Sequence, residues 1–327
     1  ITTIQKLDRF ISKNKGHEIF SGHVVLIFDE CHRSQFGNMH TAITKSFNKY
    51  HLFGFTGTPI FASNSSSGAQ PDLKTTEQAF GDKLHTYTII DAISDKNVLP
   101  FRMDYINTVK TNESIDDEKV SAIDREAILG SPERLELVVG YIREHFEQKT
   151  KRNTKPYAFN TLQNIGKVAS AKDRHVAEEI REKIRLSGFN SIFAVSSIEV
   201  AKKYYAEFQR QQKEADELSK LKVAIIYSFG ANEDDVEFDG IEDENSESTD
   251  GLDSSSRDFL DSAISDYNNM FGTSYDTSTD KFQSYYKDVS LRMKNREIDL
   301  LIVVNMFLTG FDATTLNTLW VDKNLKQ

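Results

Sequence analysis

The sequence predicts an α/β protein: two doubly wound parallel-sheet lobes, the first only partly represented, joined by a helical segment. Three observations carry this. Short, mostly apolar runs recur at residues 24–28, 51–55, 190–195, 222–227 and 299–304, the pattern of strands buried on both faces of a parallel sheet. Longer stretches with helical character separate many of these runs, as crossover connections between parallel strands require. The length of 327 residues suits about two domains.

Taken in order, residues 24–28 form a first strand that stops at two acids, Asp29 and Glu30. Residues 39–50 are long enough for a crossover helix, and residues 51–55 form a second strand halted by Thr56-Gly57-Thr58-Pro59. Together they make a βαβ unit. A polar loop is expected at 62–72, a strand at 84–90, a short helical turn at 91–95 and an alternating strand at 101–109. Residues 111–130 are polar and connecting. A helix starts at Ser131, with Pro132 at its first position, and runs to about 148. The basic stretch Lys149-Thr150-Lys151-Arg152 then leads into a second domain. Further on, the pattern predicts helices at 169–186, 197–211, 255–271 and 282–294, alternating with strands at 190–195, 222–227, 299–304 and 316–321. Ser196 or Ser197 is the natural N-cap of the second of these helices. The domain boundaries are thus 1–110, a helical connection at 111–155, and 156–327.

Composition bounds the function. A single cysteine, Cys31, excludes a disulfide framework and a zinc site of several thiolates. No apolar run approaches the 18 residues of a membrane span. No basic and apolar leader follows Ile1, so no secretory signal is expected, and the sequence reads as a segment of a longer protein. The net charge of −10 comes from one place: residues 233–253 hold eleven acids and no Lys or Arg. The rest balances at 40 bases against 39 acids. The stretch at 231–253 therefore reads as a solvated, mobile insertion. Among the exposed helices, Lys202 and Lys203 are candidates for meeting phosphate.

Three loops can carry chemistry. Asp29 and Glu30 follow a strand, at the edge where ligands bind in open parallel sheets. Two adjacent carboxylates at the end of a buried strand are costly unless paired. A hydrated Mg²⁺ carried by nucleotide phosphates is a suitable partner: Asp29 would hold the metal through water, and Glu30 would orient and deprotonate an attacking water. The alternative is a strand-end turn with solvated acids. Thr56, Gly57 and Thr58 lie one βαβ unit downstream and should emerge on the same edge. Thr309, Gly310, Phe311 and Asp312 follow the most apolar strand and can offer backbone amides, a hydroxyl and a carboxylate.

Read together, Asp29-Glu30-Cys31-His32, Thr56-Gly57-Thr58-Pro59 and Thr309-Gly310-Phe311-Asp312 resemble the Walker B box, the coupling motif and motif V of a superfamily 2 helicase or translocase core. The wider strings TTIQKL (2–7), IFDECHRSQFG (27–37), FGFTGTPIF (53–61), FAVSSIEVAKKYY (193–205) and DLLIVVNMFLTGFDATTLNTLWVDKNL (299–325) are similar to the restriction (motor) subunit, HsdR, of type I restriction endonucleases. The resemblance implies RecA-like lobes, ATP-driven translocation of double-stranded DNA, an endonuclease domain elsewhere in the protein, and partner methyltransferase and specificity subunits in the bacterial cytoplasm, with no membrane. It implies ATP and Mg²⁺ as cofactors, Asp29 as the water-mediated metal ligand and Glu30 as catalytic base. His32, Gly310 and Asp312 would lie at the nucleotide. Thr3, Gln5, Thr56, Gly57, Thr58, Ser196, Ser197 and Thr309 would couple to DNA.

The sequence departs from that family in one respect. It contains no G-x-x-x-x-G-K-[ST] phosphate loop. An arginine motif is expected beyond Gln327 and the nuclease carboxylates upstream of Ile1, so this chain by itself is expected not to hydrolyse ATP. Two rivals share part of the pattern: another superfamily 2 helicase or remodeller, and a non-catalytic DNA- or subunit-binding module.

Overall fold

A computed structural model describes residues 1–33, 38–61, 75–108, 130–154, 156–171, 177–213, 215–227, 252–304, 306–308 and 311–323. The chain is α/β, and its described residues fall into two compact units, the first Ile1–Tyr105 and the second from Ile106 onward. Among the described residues no helix is long and apolar enough to cross a membrane.

The first unit contains α1 (Ile4–Lys13), β1 (His23–Phe28), α2 (Asn38–Ser46), β2 (Lys49–Gly54), α3 (Thr76–Phe80) and α4 (Ile89–Ser94). β1 and β2 pair in parallel, with Phe28 opposite Gly54, so the expected βαβ unit is present. Its burial differs from the expectation. Val24, Leu26 and Phe28 pack on Phe20, Ile43 and Phe47, joined by Ile4, Leu7 and Ile11 of α1. The alternate residues face outward: Val25 is 55% and Ile27 67% exposed. Successive strand residues point to opposite faces, and α1 and α2 cover one face only. The strand expected at 84–90 is absent, its end forming the start of α4. Thr88 caps that helix in a reciprocal capping box with Asp91, and this local chemistry wins over the apolar run. Residues 101–108 form no strand either; their large side chains, Phe101, Met103 and Tyr105 among them, are exposed.

The second unit contains α5 (Pro132–Thr150), β3 (Tyr157–Leu162), α6 (Ile165–Ser170), β4 (Arg181–Leu186), β5 (Asn190–Val195), α7 (Ile198–Lys213), β6 (Val223–Ile226), α8 (Ser254–Phe271), α9 (Thr279–Lys294), β7 (Leu300–Val303) and β8 (Leu316–Asp322). Four strands form an all-parallel sheet in the order β6-β7-β5-β8. Every residue of β5, β6 and β7 is buried, so both faces of these three strands are covered, as the apolar runs predict, while the edge strand β8 leaves Asn317, Leu319 and Val321 exposed. The core draws Leu135, Val139 and Phe146 from α5, Tyr204 and Phe208 from α7, Ile264 from α8 and Tyr285 from α9. The phenols find partners: Tyr285 donates to the Ile225 carbonyl and Tyr227 to the Ser256 carbonyl, each at 2.7 Å.

The helix expected at 169–186 is overturned. α6 ends at Ser170, and 181–186 is a strand paired antiparallel with β3. The charges of Arg181, Glu182, Lys183 and Arg185 are exposed in the strand as they would be on a helix. The discriminating signal was Ile184 and Leu186, two apart, with partners in the aromatic-rich 157–162. Asn295 clamps that ribbon, accepting from the Leu162 amide and donating to its carbonyl, both at 2.9 Å.

Candidate functional site

In the first unit the parallel register brings two loops together at the strands' carboxyl ends. The Phe55 amide donates to the Phe28 carbonyl at 2.8 Å, and the Cys31 amide donates to the Phe55 carbonyl at 3.0 Å. These bonds carry the ladder past the strands and set Asp29-Glu30-Cys31-His32 beside Thr56-Gly57-Thr58. His32 Nδ1 and the Thr56 hydroxyl are hydrogen-bonded at 2.7 Å. The Thr56 oxygen also accepts from the Thr58 amide at 3.1 Å. Glu30 approaches the same His32 nitrogen at 3.5 Å.

Glu30 has φ +47°, a left-handed conformation that costs a non-glycine residue about 1 kcal/mol or more and collects at functional sites. The Asp29 carboxylate caps this turn, accepting from the Glu30 amide at 3.0 Å. One expectation fails here: Asp29 and Glu30 are exposed rather than buried, Glu30 by 48%. No desolvation penalty therefore demands a partner. Two exposed hard-oxygen donors on a sheet's ligand-binding edge nevertheless fit a hydrated Mg²⁺, which retains most of its waters.

Cys31 is fully buried, and burial pushes its thiol up to about 11. It packs where Gly54 ends β2. A Cβ on Gly54 would stand 2.8 Å from the Cys31 Sγ and 2.8 Å from a ring carbon of Phe80. Gly54 thus lets the acidic loop close onto the strand end, a role the sequence reading missed. Its signal was a glycine inside an apolar strand, which marks close approach. Thr3 is the N-cap of α1, its hydroxyl accepting from the Lys6 amide at 3.2 Å; the Gln5 side chain lies outside the described residues. Gly57 and Thr58 are exposed.

In the second unit, the strand order makes a switch point between β5 and β7. The chain leaves β5 toward β6 on one side and leaves β7 toward β8 on the other, which opens a crevice at the strands' carboxyl ends. Ala194 pairs with Val303, so the loop with Ser196 and Ser197 lies beside the loop that follows β7. Ser197 is a helix cap, accepting from the Val200 amide at 3.3 Å, and Ser196 is exposed. After β7, Phe307 takes φ +56° and stacks on Tyr286, with ring centres 4.9 Å apart. Asp312 is exposed. Thr309 and Gly310 lie outside the described residues, as does the acidic insertion apart from its end. There Asp253 caps α8, accepting from the Ser256 amide at 2.9 Å. Lys202 is a poor candidate for phosphate: it is buried, paired with Glu199 and within 3.4 Å of the Ser256 hydroxyl.

The sequence reading also missed a buried polar cluster. Arg134, in the first turn of α5, makes a two-pronged pair with Asp322 at the end of β8, its Nη1 donating to Oδ2 at 2.9 Å. Tyr204 of α7 donates to the same carboxylate at 2.5 Å.

Comparison with known proteins gives the class first. Residues 1–131 match the family described as SWI2/SNF2 ATPase, and these residues include both linked loops of the first unit. Residues 187–327 match the family described as Type I restriction enzyme subunit R domain 3. The chain is 39% identical, over 99% of its length, to a type I restriction enzyme endonuclease subunit of Staphylococcus aureus. It is 40% identical over its full length to one from Staphylococcus saprophyticus. In each case it covers 30% of the relative. A more distant relative, a putative type I restriction enzyme endonuclease subunit of Methanocaldococcus jannaschii, is 23% identical over 98% of this chain and 27% of its own length. The chain is thus similar along its whole length to type I restriction enzyme endonuclease subunits, and it spans about 30% of the length of the relatives it matches.

Proposed function

We propose that this chain supplies part of the ATP-driven DNA-translocating motor of a type I restriction enzyme. In this reading residues 1–110 and 156–327 belong to two RecA-like lobes, joined by 111–155. The observation that carries the proposal is the His32–Thr56 hydrogen bond, which ties the acidic loop to the threonine loop at the ligand-binding edge of a parallel sheet.

Each residue then has a role. Asp29 would hold Mg²⁺ through water, and the ion would neutralise triphosphate charge. Glu30 orients the attacking water and accepts its proton, and its exposed carboxylate is open to solvent for that purpose. His32 reports the state of this loop to Thr56, and through Thr56 to the Thr58 amide. Ser196, Ser197 and Asp312 would contribute from loops of the second unit, and Thr309 and Gly310 would join them by their place in the sequence. Thr3 and Gln5 face DNA. The substrate is double-stranded DNA, the partners are methyltransferase and specificity subunits, and the setting is the bacterial cytoplasm.

The test uses the full-length protein assembled with its partner subunits, reading DNA-stimulated phosphate release. Glu30→Gln is expected to lower turnover by about 10²-fold or more. His32→Ala and Thr56→Val are expected to keep nucleotide binding and lose the stimulation by DNA. Wild-type turnover in Glu30→Gln refutes the assignment. The 327-residue chain alone is expected to show no turnover.

A further inference from the structure

We propose that the second unit carries a separate anion site, for a phosphate-bearing ligand, at the edge of its sheet where the strands begin. A cavity of about 430 Å³ opens there, the size of a small-molecule site. Its wall holds four cations, Arg152, Lys213, Lys220 and Lys222, and two carboxylates, Glu217 and Asp299. Both carboxylates are already engaged. Glu217 pairs with Lys220 at 2.5 Å. Asp299 accepts from Arg296 at 2.7 Å and from the Lys222 amide at 2.9 Å. Among the described residues no acid pairs with Arg152, Lys213 or Lys222, which leaves three positive charges on one concavity.

The chain fixes two of these positions. At Gly188, φ is +68° and a Cβ would stand 2.5 Å from the Arg152 Cα, so only glycine lets the two segments meet. Ser187 then donates to the Arg152 carbonyl at 2.8 Å. Lys222 is held by its amide on Asp299 and by its carbonyl, which accepts from the Asp299 amide at 3.0 Å. Lys213 ends α7 and complements that helix's dipole; the Arg152 amide caps the end of α5 on the Glu147 carbonyl at 3.1 Å, and the Lys222 ammonium lies 5.6 Å from the Phe271 ring centre, so none of the three charges is neutralised by a carboxylate among the described residues. Three convergent cations suit a polyvalent anion, and the planar fork of arginine matches phosphate oxygens. β7 has four residues and rises ~3.3 Å per residue. This edge is therefore roughly 13 Å from the switch-point loops and does not overlap them. Arg152, the last residue of the basic stretch at 149–152, lines the cavity.

The test is calorimetric titration of the 327-residue chain with tripolyphosphate at low salt in EDTA. Removing Mg²⁺ silences any metal-dependent binding at Asp29 and Glu30, so this result and the motor reading stand or fall separately. Saturable binding is expected, weakened about tenfold or more in Lys213→Gln/Lys222→Gln. Lys183→Gln on exposed β4 should leave it unchanged, with melting curves confirming that both variants fold. A competing arm identifies the source. If a short DNA duplex displaces tripolyphosphate and the double variant weakens both, the ligand is a backbone phosphate. If only mononucleotides displace it, the ligand is a free nucleotide. Absence of saturable binding, or an affinity untouched by both the double variant and Arg152→Gln, overturns the site.

Discussion

Replacing Asp322 with alanine probes the buried pair that fastens α5 to β8 within the second unit. The Arg134 side chain is 8% exposed and that of Asp322 18%, so neither is rescued by solvent. Arg134 sits in the first turn of α5, where the helix dipole disfavours a cation. Its stability there depends on Asp322, with Thr108 and Tyr204 as neutral partners at 3.0 and 3.2 Å. Asp322 raises the pKa of Arg134 through their hydrogen bond, while burial pushes the Tyr204 phenol up and keeps it a donor. Breaking a buried pair by removing one partner costs about 3–5 kcal/mol. For a unit of this size that is a fall in Tm of roughly 6–20 °C. Urea unfolding followed by circular dichroism measures it directly. Arg134→Met combined with Asp322→Leu should recover most of the loss, since an apolar pair of similar volume replaces a costly burial. A loss below about 1 kcal/mol in Asp322→Ala would refute the view that this contact anchors the helix.

Three further outcomes are expected. Gly54→Ala should cost about 1–3 kcal/mol by overpacking against Cys31 and Phe80, read by the same unfolding assay. Cys31 should resist Ellman's reagent in the folded chain at pH 8 and react promptly in urea, because it is fully buried and its thiol stays protonated; rapid native labelling contradicts the packing. His40 is buried between the rings of Phe28 and Phe80, and among the described residues neither ring nitrogen has a hydrogen-bond partner. Burial lowers its pKa below the usual histidine range. The folded state therefore favours the neutral ring, and the stability this provides above pH ~6.5 is lost as the pH falls. The first unit should weaken between pH 7 and 5, and His40→Phe should remove much of that dependence.

Much of the second unit was legible because its strands declare themselves. The runs at 190–195, 222–227 and 299–304 are apolar on both faces, and a core closed on both sides is what they form. The first unit misled for the same reason: β1 has that composition but only one covered face. Residues 181–186 were read as helix because exposed charges satisfy either period, and the decision rested with a partner strand 24 residues earlier. The candidate loops could be found from residue type and position after strands. That the threonine hydroxyls could bond the acidic loop was also readable, but not that His32 is the partner of Thr56, since a contact across 24 residues depends on register. The Arg134–Asp322 pair spans 188 residues, and no local pattern announces it.

The outward face of β1 and β2 has a practical consequence. Val25, Ile27 and Phe53 present oily side chains to water on a two-stranded parallel ribbon, and Leu84, Leu99 and Tyr105 add more from the same unit. Such a surface is sticky toward itself. Preparations of this polypeptide should clump as concentration rises, and mild detergent or a charged residue in place of Ile27 should keep them dispersed.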